Sequence, residues 1–451
     1  MSIAINNMSY KKVIFFLLLI LWNHTVHAQN SLSLTLEEAM AMAVANHTQS
    51  QMARSLIDES MANQRLQQAQ LLPNLSLSAY QLRESVNLRA QGFNLQGFPV
   101  LIGPFNSFAS SVNLSQKVFD LSLWNNLKAS QWITQETELK AQSTFQQVAA
   151  NAAYAYINLL RARAELKTAE ANYHLAEELE TLSTDQKKQG ISTGVDVVRA
   201  QTQTTQYQYD LRAMESLVDD SQTKLKRALG IDLDTPIIQT ETLTTLNTPI
   251  PDLAESILDA KQSRPELLAS KALMSARESV LQAKKDAFLP SVEVRGAVGP
   301  SGVTPVINDY HVYSVGVFLS MPLWNGGATQ AEENIAFSEL HQAKLQLADI
   351  EAQVDEDVRI AYNALRTTHD EVIHAQKNLQ LATTLMNQSG DRYRNGVADN
   401  LEVVNAQTTI AQARSQLDNA LASEHIAWIN FDLARGKIRY SEHDTGQSNH
   451  E

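Results

Sequence analysis

The chain has 451 residues, no cysteine, and 36 basic against 49 acidic side chains, for a net charge of -13. That balance argues against nucleic acid or an anionic lipid surface as the main partner, because nothing basic is spare to neutralise phosphate. The missing cysteines exclude a disulfide scaffold, a thiolate metal site and an anchor through an N-terminal cysteine.

In chain order, Lys11 and Lys12 precede an apolar run from Val13 to Trp22 and a short polar stretch ending in Val26, His27 and Ala28. This is the pattern of an export signal peptide over residues 1–28, cleaved after Ala28. Its apolar run is too short to span a bilayer, which takes about 20 residues. Beyond it, glycine (16) and proline (11) are sparse, and long breaker-free stretches predict long helices.

A first helix is predicted from about Leu36 to Gln70, closed by Leu72-Pro73. Leu75, Leu77 and Ala79 then alternate with Ser76 and Ser78, and Val112, Leu114, Gln116 and Val118 keep the same period of two. Together they predict a β-hairpin over about 75–119. A helix from about 122 to 188 follows, which at 1.5 Å per residue extends about 100 Å. Its apolar row, Phe145, Val148, Ala152, Ala155, Leu159, Ala162, Leu166, Ala169, Tyr173 and Ala176, alternates spacings of four and three. That is a heptad seam, and its alanines let neighbouring helices approach closely. The phrase "QGISTGVDVVRAQT" (Gln189 to Thr202) predicts a turn at about 189–196. The seam resumes at Ala200, Thr204, Tyr207, Leu211, Met214, Val218 and Leu225.

An inter-repeat strap is assigned to 231–263, where Ile231 to Asp252 carries three prolines among many threonines and reads as extended chain on the outside of the helices. The earlier order then returns. A helix runs from about Glu266 to Phe288, and Leu289-Pro290 breaks it. Alternation at Val292, Val294 and Gly296, and again at Tyr313, Val315, Val317 and Leu319, gives a second hairpin over about 291–321. A second heptad seam uses Val354, Val358, Ala361, Leu365, Val372, Ala375, Leu379 and Ala382. A second tip turn, at about 395–402, lies in "NGVADNLEVVNAQT". Residues 441–451 form a polar tail expected to be disordered.

The chain is a tandem duplication, with repeats at 29–230 and 264–440. An offset of 206 pairs Gly190 with Gly396, Tyr156 with Tyr362, Leu159 with Leu365, Val198 with Val404, Ala200 with Ala406 and Gly230 with Gly436. The two Leu-Pro steps are 217 apart, so the first copy holds about eleven extra residues, expected around Gln91 to Phe105 in its hairpin loop. Gly190 and Gly396 supply the left-handed residue that ends one helix, and Asp196 and Glu402 fall in the first turn of the next, where a carboxylate suits the helix dipole. No phosphate loop, His-Glu-x-x-His or Gly-x-Ser-x-Gly pattern occurs. No enzymatic activity, cofactor or metal site is therefore expected.

Helix, hairpin, long helix, glycine turn and returning helix, written twice, resemble the TolC-like outer-membrane efflux proteins over nearly the whole mature chain. The motifs that carry the resemblance are "LTLEEAMAMAVANH" near the mature N-terminus, "RPEL" (Arg264 to Leu267), "MPLWNGG" (Met321 to Gly327), and Gly190 with Asp196, Val197 and Val198. The resemblance implies a mostly α fold with a membrane β-barrel portion: a trimeric 12-strand barrel continued by a long periplasmic α-barrel. Physics independently demands an oligomer, since four strands cannot close a membrane barrel. Phe108, Phe119, Tyr310 and Tyr313 are then expected as interfacial aromatics.

The function implied is a passive exit duct of a tripartite efflux or type I secretion system, in the outer membrane and extending into the periplasm. The implied partners are two further copies of the chain, a periplasmic adaptor, an inner-membrane transporter and outer-membrane lipid, with no nucleic acid. Carried over residue by residue, Glu402, Asp399, Asp196, Tyr393 and Arg394 are expected at a periplasmic gate, and Gly190, Gly194, Gly396 and Val397 at adaptor-docking tips. Two departures stand out: Ala398 replaces the basic residue expected after the second tip glycine, leaving Arg392 or Arg394 to substitute, and Asn405 replaces a second constriction carboxylate. A periplasmic adaptor or a helical scaffold is the alternative. An adaptor, however, has one hairpin flanked by small β-domains, and a scaffold leaves the alternating strands unused.

Overall fold

In the computed structural model, the described residues are 32–93, 96–239, 241–307 and 310–440. The expected signal peptide at 1–28 and the polar tail at 441–451 lie outside them. The first copy comprises β1 (Leu32–Leu34), α1 (Leu36–Asn46), α2 (Thr48–Ala69), β2 (Asn74–Asn87), β3 (Leu101–Phe119), α3 (Leu121–Lys188) and α4 (Gly194–Leu229). β4 (Ile237–Gln239) links it to the second, which comprises α5 (Leu253–Ser263), α6 (Pro265–Asp286), β5 (Ser291–Gly302), β6 (Tyr310–Ser320), α7 (Ala328–Arg394) and α8 (Asn400–Ala434). α3 and α7 have 68 and 67 residues. They form antiparallel hairpins with α4 and α8, and the two hairpins meet along α3 and α8.

The hairpins join into one antiparallel sheet of order β2-β3-β5-β6. Its register separates two faces. Leu75, Leu114, Gly296 and Val315 share one row, and Leu77, Val112, Val298 and Tyr313 the next. With Val292, Val294, Val317 and Leu319 they make an apolar face on which most of the large side chains are exposed, Val292 and Val294 being half-buried. The other face carries Ser76, Ser78, Ser111, Asn113, Ser115, Glu293 and Arg295. There the Ser78 and Ser111 hydroxyls are 3.1 Å apart, Asn113 Nδ2 donates to Ser78 Oγ at 3.0 Å, and Arg295 pairs with Glu293 at 2.7 Å. Phe108 and Tyr313 point with the apolar face, whereas Tyr310, three residues from Tyr313, points to the opposite one because alternation has period two. The strands of the first hairpin have 14 and 19 residues against 12 and 11 in the second. Part of the surplus therefore lengthens strands, and Leu101 to Phe105, expected in the loop, lies in β3.

Helix packing rests on small residues. Ala149, Ala150, Ala152 and Ala153 are fully buried on α3, and Tyr156, also fully buried, donates its hydroxyl to Leu34 O at 2.9 Å. β1 pairs in parallel with β4, tying the start of the chain to the strap. His425 meets Thr244 O at 2.9 Å and Gln376 Nε2 donates to Thr245 Oγ1 at 2.9 Å, so the strap crosses α7 and α8. Past Asp252, where the expected extended chain ends, the strap turns helical. Residues 253–263 form α5, capped by Asp252, whose carboxylate accepts from the Ala254 and Glu255 amides at 2.9 and 3.2 Å.

The single first helix expected over 36–70 is broken at His47, an extended residue (φ -65°, ψ 138°) whose Nδ1 accepts the Gln49 amide at 3.3 Å. The second copy breaks in the same place, at Arg264 (φ -71°, ψ 118°), where the following Pro265 disfavours helix. Against each break lies the glycine that ends a returning helix. Gly230 (φ +69°) would put a Cβ 3.0 Å from the Asn46 and His47 backbone, and Gly436 (φ +68°) 2.8 Å from Arg264 Cα. Gly190 and Gly396 have positive φ as well, but open space around them.

Alanine at any of these four positions incurs the left-handed strain of about 1–2 kcal/mol. At Gly230 and Gly436 it adds a backbone collision. Melting of the purified protein in detergent should accordingly fall further for Gly230→Ala and Gly436→Ala than for Gly190→Ala and Gly396→Ala. Equal losses would mean that the helix breaks yield freely.

Candidate functional site at the hairpin tips

Both tips are built by the same capping geometry. After α3, the Gly190 amide donates to Lys187 O at 3.0 Å and the Ile191 amide to Gln186 O at 2.9 Å. After α7, Gly396 donates to Tyr393 O at 3.0 Å and Val397 to Arg392 O at 2.9 Å. Each glycine is left-handed, at φ +76° and +69°. This paired closure satisfies the last helix carbonyls and reverses the chain. Ile191 and Val397, next after each glycine, are exposed, as are Val195, Val198 and Leu401. Gly194 opens α4 beside the Lys187 side chain.

The two carboxylates of the first helical turns are held differently. Asp196 closes a capping box: the Thr193 amide and hydroxyl donate to it at 3.0 and 2.7 Å, and Arg199 pairs with it at 3.1 Å. The Thr193 hydrogen bonds hold its carboxyl below the usual carboxylate range, with smaller help from Ser192 and Arg199. In the second copy Asp399 takes the capping role, accepting the Glu402 amide at 3.1 Å. This frees the Glu402 carboxylate to meet Arg392 Nε at 3.1 Å and the Ser389 hydroxyl at 3.3 Å. Arg392 thus pairs with Glu402, whereas Arg394 pairs with Asp391 one turn back, at 3.1 Å on an exposed surface.

Tyr393 and Asp196 are not brought together. Tyr393 is buried, its hydroxyl lies 2.8 Å from Ser183 Oγ, and Asn400 Nδ2 donates to the same serine at 2.9 Å. Gln186 Nε2 reaches Tyr393 O at 3.3 Å. Tyr393 therefore ties the second tip to α3. Farther from the tip the α3–α8 seam is also polar: Gln407 Nε2 and Arg414 Nη1 donate to Asn172 O and Oδ1, each at 3.2 Å. Thr168 donates to Asp418 at 3.1 Å and Arg161 to Asn419 at 3.2 Å. Burial is the main cause that pushes the Asp418 carboxyl up.

Ser183, Gln186, Ser389 and Asn400 were missed in the sequence, whereas Arg392 was offered there as the alternative to Arg394. One signal was present: Ser183 and Ser389 share the 206 offset, each seven residues before its tip glycine. Lys187, the duplicate position of Tyr393, is exposed, so the two copies have diverged here. With its carboxylates capped or ion-paired, this constellation fastens helices at a reversal and presents no activated nucleophile or proton-transfer pair.

The sequence model of the family described as outer membrane efflux protein matches residues 39–231 and 257–437. The toluene efflux pump outer membrane protein TtgC of Pseudomonas putida is 23% identical over 437 residues, covering 92% of this chain and 85% of that protein. The alkaline protease secretion protein AprF of Pseudomonas aeruginosa is 26% identical over 349 residues, covering 74% and 70%. Among solved structures, the outer membrane protein VceC of Vibrio cholerae superposes with a TM-score of 0.76 at 17% identity, covering 89% of this chain and 96% of that one, a likeness of fold. Two matched segments, one in each copy, span most of the chain, and the helix, hairpin and tip order is the same in both: the chain belongs to the outer membrane efflux protein family, the TolC-like proteins.

Proposed function

We propose that three copies of this outer-membrane chain close a 12-stranded barrel and continue it into the periplasm as an α-barrel, forming a passive exit duct. The observation that carries this reading is the four-stranded sheet with one apolar face and two unpaired edges, β2 and β6. In hydrocarbon, unpaired backbone groups are costly enough that only a closed barrel is viable. Further copies supply the missing edges, the apolar face meets lipid, and the serine- and asparagine-bearing face lines the lumen. The units of this duct are the repeats at 29–230 and 264–440, joined by the strap at 231–263, after removal of the leader at 1–28.

The duct receives cargo from an inner-membrane transporter through a periplasmic adaptor. The named relatives, a toluene efflux pump protein and a protease secretion protein, support efflux or secretion as its use. The tip turns at Gly190, Gly194, Gly396 and Val397, with exposed Ile191 beside them, form the adaptor's docking surface. Glu402, with Asp399 and Arg392 around it, forms the acidic part of the periplasmic gate, while Tyr393 and Asp196 hold its helices in place. Arg394 has its partner in Asp391.

Fractionation tests the reading directly. The chain should be extracted from outer membranes only by detergent, as a heat-modifiable trimer, and a soluble protein would overturn it. An epitope inserted at Gly97, in the β2–β3 loop, should be accessible to antibody on intact cells with export retained; access only after permeabilisation would invert the topology.

Under threefold symmetry, Glu402 recurs around the axis. Charges about 10 Å apart in water repel by only about 0.4 kcal/mol, so three carboxylates can be gathered at little cost and act jointly on a multivalent cation. Each is also neutralised in part by Arg392 at 3.1 Å. In planar bilayers the pore should prefer cations and be blocked by a trivalent cation from the periplasmic side. Glu402→Gln should relieve that block, and Arg392→Gln, by freeing the carboxylate, should tighten it. No change in either variant would leave Glu402 as a residue that only stabilises its helix.

A further inference from the structure

The polarity of the sheet reverses toward its loop end. Next to α3 and α7, the apolar face carries Leu75, Leu77, Val315 and Val317, and the opposite face carries serine and asparagine. Near the loops, Gln81, Arg83, Asn106 and His311 stand on the first face, while Tyr80, Leu82, Phe105, Tyr310 and Val312 stand on the second. All five are exposed in the single chain. A barrel wall that rises out of hydrocarbon into water should become polar outside, as this one does. Nothing in that rule makes the inside apolar.

The inward residues are also sorted by size. One register row reads Tyr80, Ala109, Ser301, Tyr310, and the next toward α3 reads Ser78, Ser111, Gly299, Val312. In the first row small side chains occupy the central strands and tyrosines the edge strands; in the second only β6 carries a large apolar side chain, and Phe105 adds one on β3 nearer the loops. When β6 of one copy pairs with β2 of the next with their loop ends level, Tyr310 and Val312 come beside Tyr80 and Leu82, since same-face neighbours on paired strands lie about 5 Å apart. Each seam then raises an apolar aromatic ridge, and the small residues of β3 and β5 form the trough between ridges. The ridge is incomplete without the second copy.

We propose that these ridges and troughs form an apolar collar in the extracellular part of the lumen that binds amphiphilic organic molecules, an aromatic or aliphatic body with a charged or polar end, as they leave. The site rests on the barrel closure proposed above. Below the collar the lumen face offers hydroxyl and amide groups, which hold water in preference to apolar solutes. At the collar, a passing aromatic body can stack on tyrosine and phenylalanine while its polar end meets the serine hydroxyls of the trough. Hydrated inorganic ions gain nothing there, so the collar favours organic over ionic cargo without closing the path.

The test uses the reconstituted trimer in planar bilayers and two probes of equal charge added from the extracellular side, tetraphenylphosphonium and tetraethylammonium. Both ions feel the carboxylates equally, so a difference between them reports apolar contact. Tetraphenylphosphonium should block at severalfold lower concentration in the wild type, and this comparison needs no variant. Tyr80→Ser combined with Tyr310→Ser should weaken its block severalfold while leaving the tetraethylammonium response unchanged. Tyr313→Ser, on the opposite face of the same strand, should change neither. Equal block by the two ions in the wild type, or undiminished tetraphenylphosphonium block in the double variant with normal unitary conductance, overturns the collar. A preparation with neither trimer nor unitary conductance overturns barrel closure instead, and the collar with it.

Discussion

Along the outer edges of β2 and β6 the backbone N–H and C=O groups have no strand partner within the described sheet. In water such edges invite association, and in hydrocarbon each unsatisfied group costs several kcal/mol. An antiparallel sheet with an apolar exterior therefore stays in a bilayer only if it closes, and four strands are too few. Under the proposed function this constraint orders the rest of the molecule. Duplication doubles two strands to four, oligomerisation multiplies them again, and every strand of the closed wall leads either into a loop or toward a helix. The helices are thereby committed to continuing a ring, which accounts for their length and for an alanine-rich seam in place of a thick core.

Contacts within a copy and between copies differ in chemistry. Heptad rows bury alanine, valine and leucine between α7 and α8 and between α3 and its neighbours, and apolar burial of that kind resists separation in proportion to area. Between α3 and α8 the tip-ward contacts run through Asn172, Gln407, Arg414, Asp418 and Ser183. Some buried atoms there, Gln407 Oε1, Asn400 Oδ1 and Arg161 Nε, lack a hydrogen-bond partner. Hydrogen bonds that exchange for water on separation contribute about 0.5–1.5 kcal/mol each, and apolar contact crosses the same seam, where Leu175, Leu179 and Leu182 of α3 join the cluster of Val403, Ala406 and Ile410 on α8. The joint between the hairpins is therefore mixed, polar links beside small apolar contacts.

Features that depend on local chemistry were legible in the sequence: the alternation of both hairpins, the heptads of the long helices, and the left-handed glycines at 190 and 396. Features that depend on what lies opposite were not. The break at His47 needs only an extended residue and a side chain able to accept an amide, a signal too weak to interrupt a helical pattern. α5 was left unassigned within the strap, although Asp252 followed by Glu255 is a helix-start pattern. Assigning a partner to Glu402 required the relative rotation of α7 and α8, which brings Arg392 rather than Arg394 to the carboxylate. Tyr310 was grouped with Tyr313 because both are aromatic and close together at one end of the strand, and counting parity along the strand separates them.

The two tips began as copies and now do different mechanical work. The first is self-contained: Thr193, Asp196 and Arg199 satisfy one another within a few residues of the turn, and the Thr193 hydrogen bonds hold the Asp196 carboxyl below the usual carboxylate range. The second is tied outward, through Tyr393 to Ser183 on α3 and through Glu402 to Arg392 on its own outgoing helix. Because those bonds join α3 to the second tip, separating the hairpins in either direction exposes a buried tyrosine and releases Ser183, Asn400 and Gln186 together. Sequence divergence at duplicated positions, Lys187 against Tyr393 and Thr193 against Asp399, has thus left one tip with a self-contained cap and given the other the tyrosine that ties the pair together.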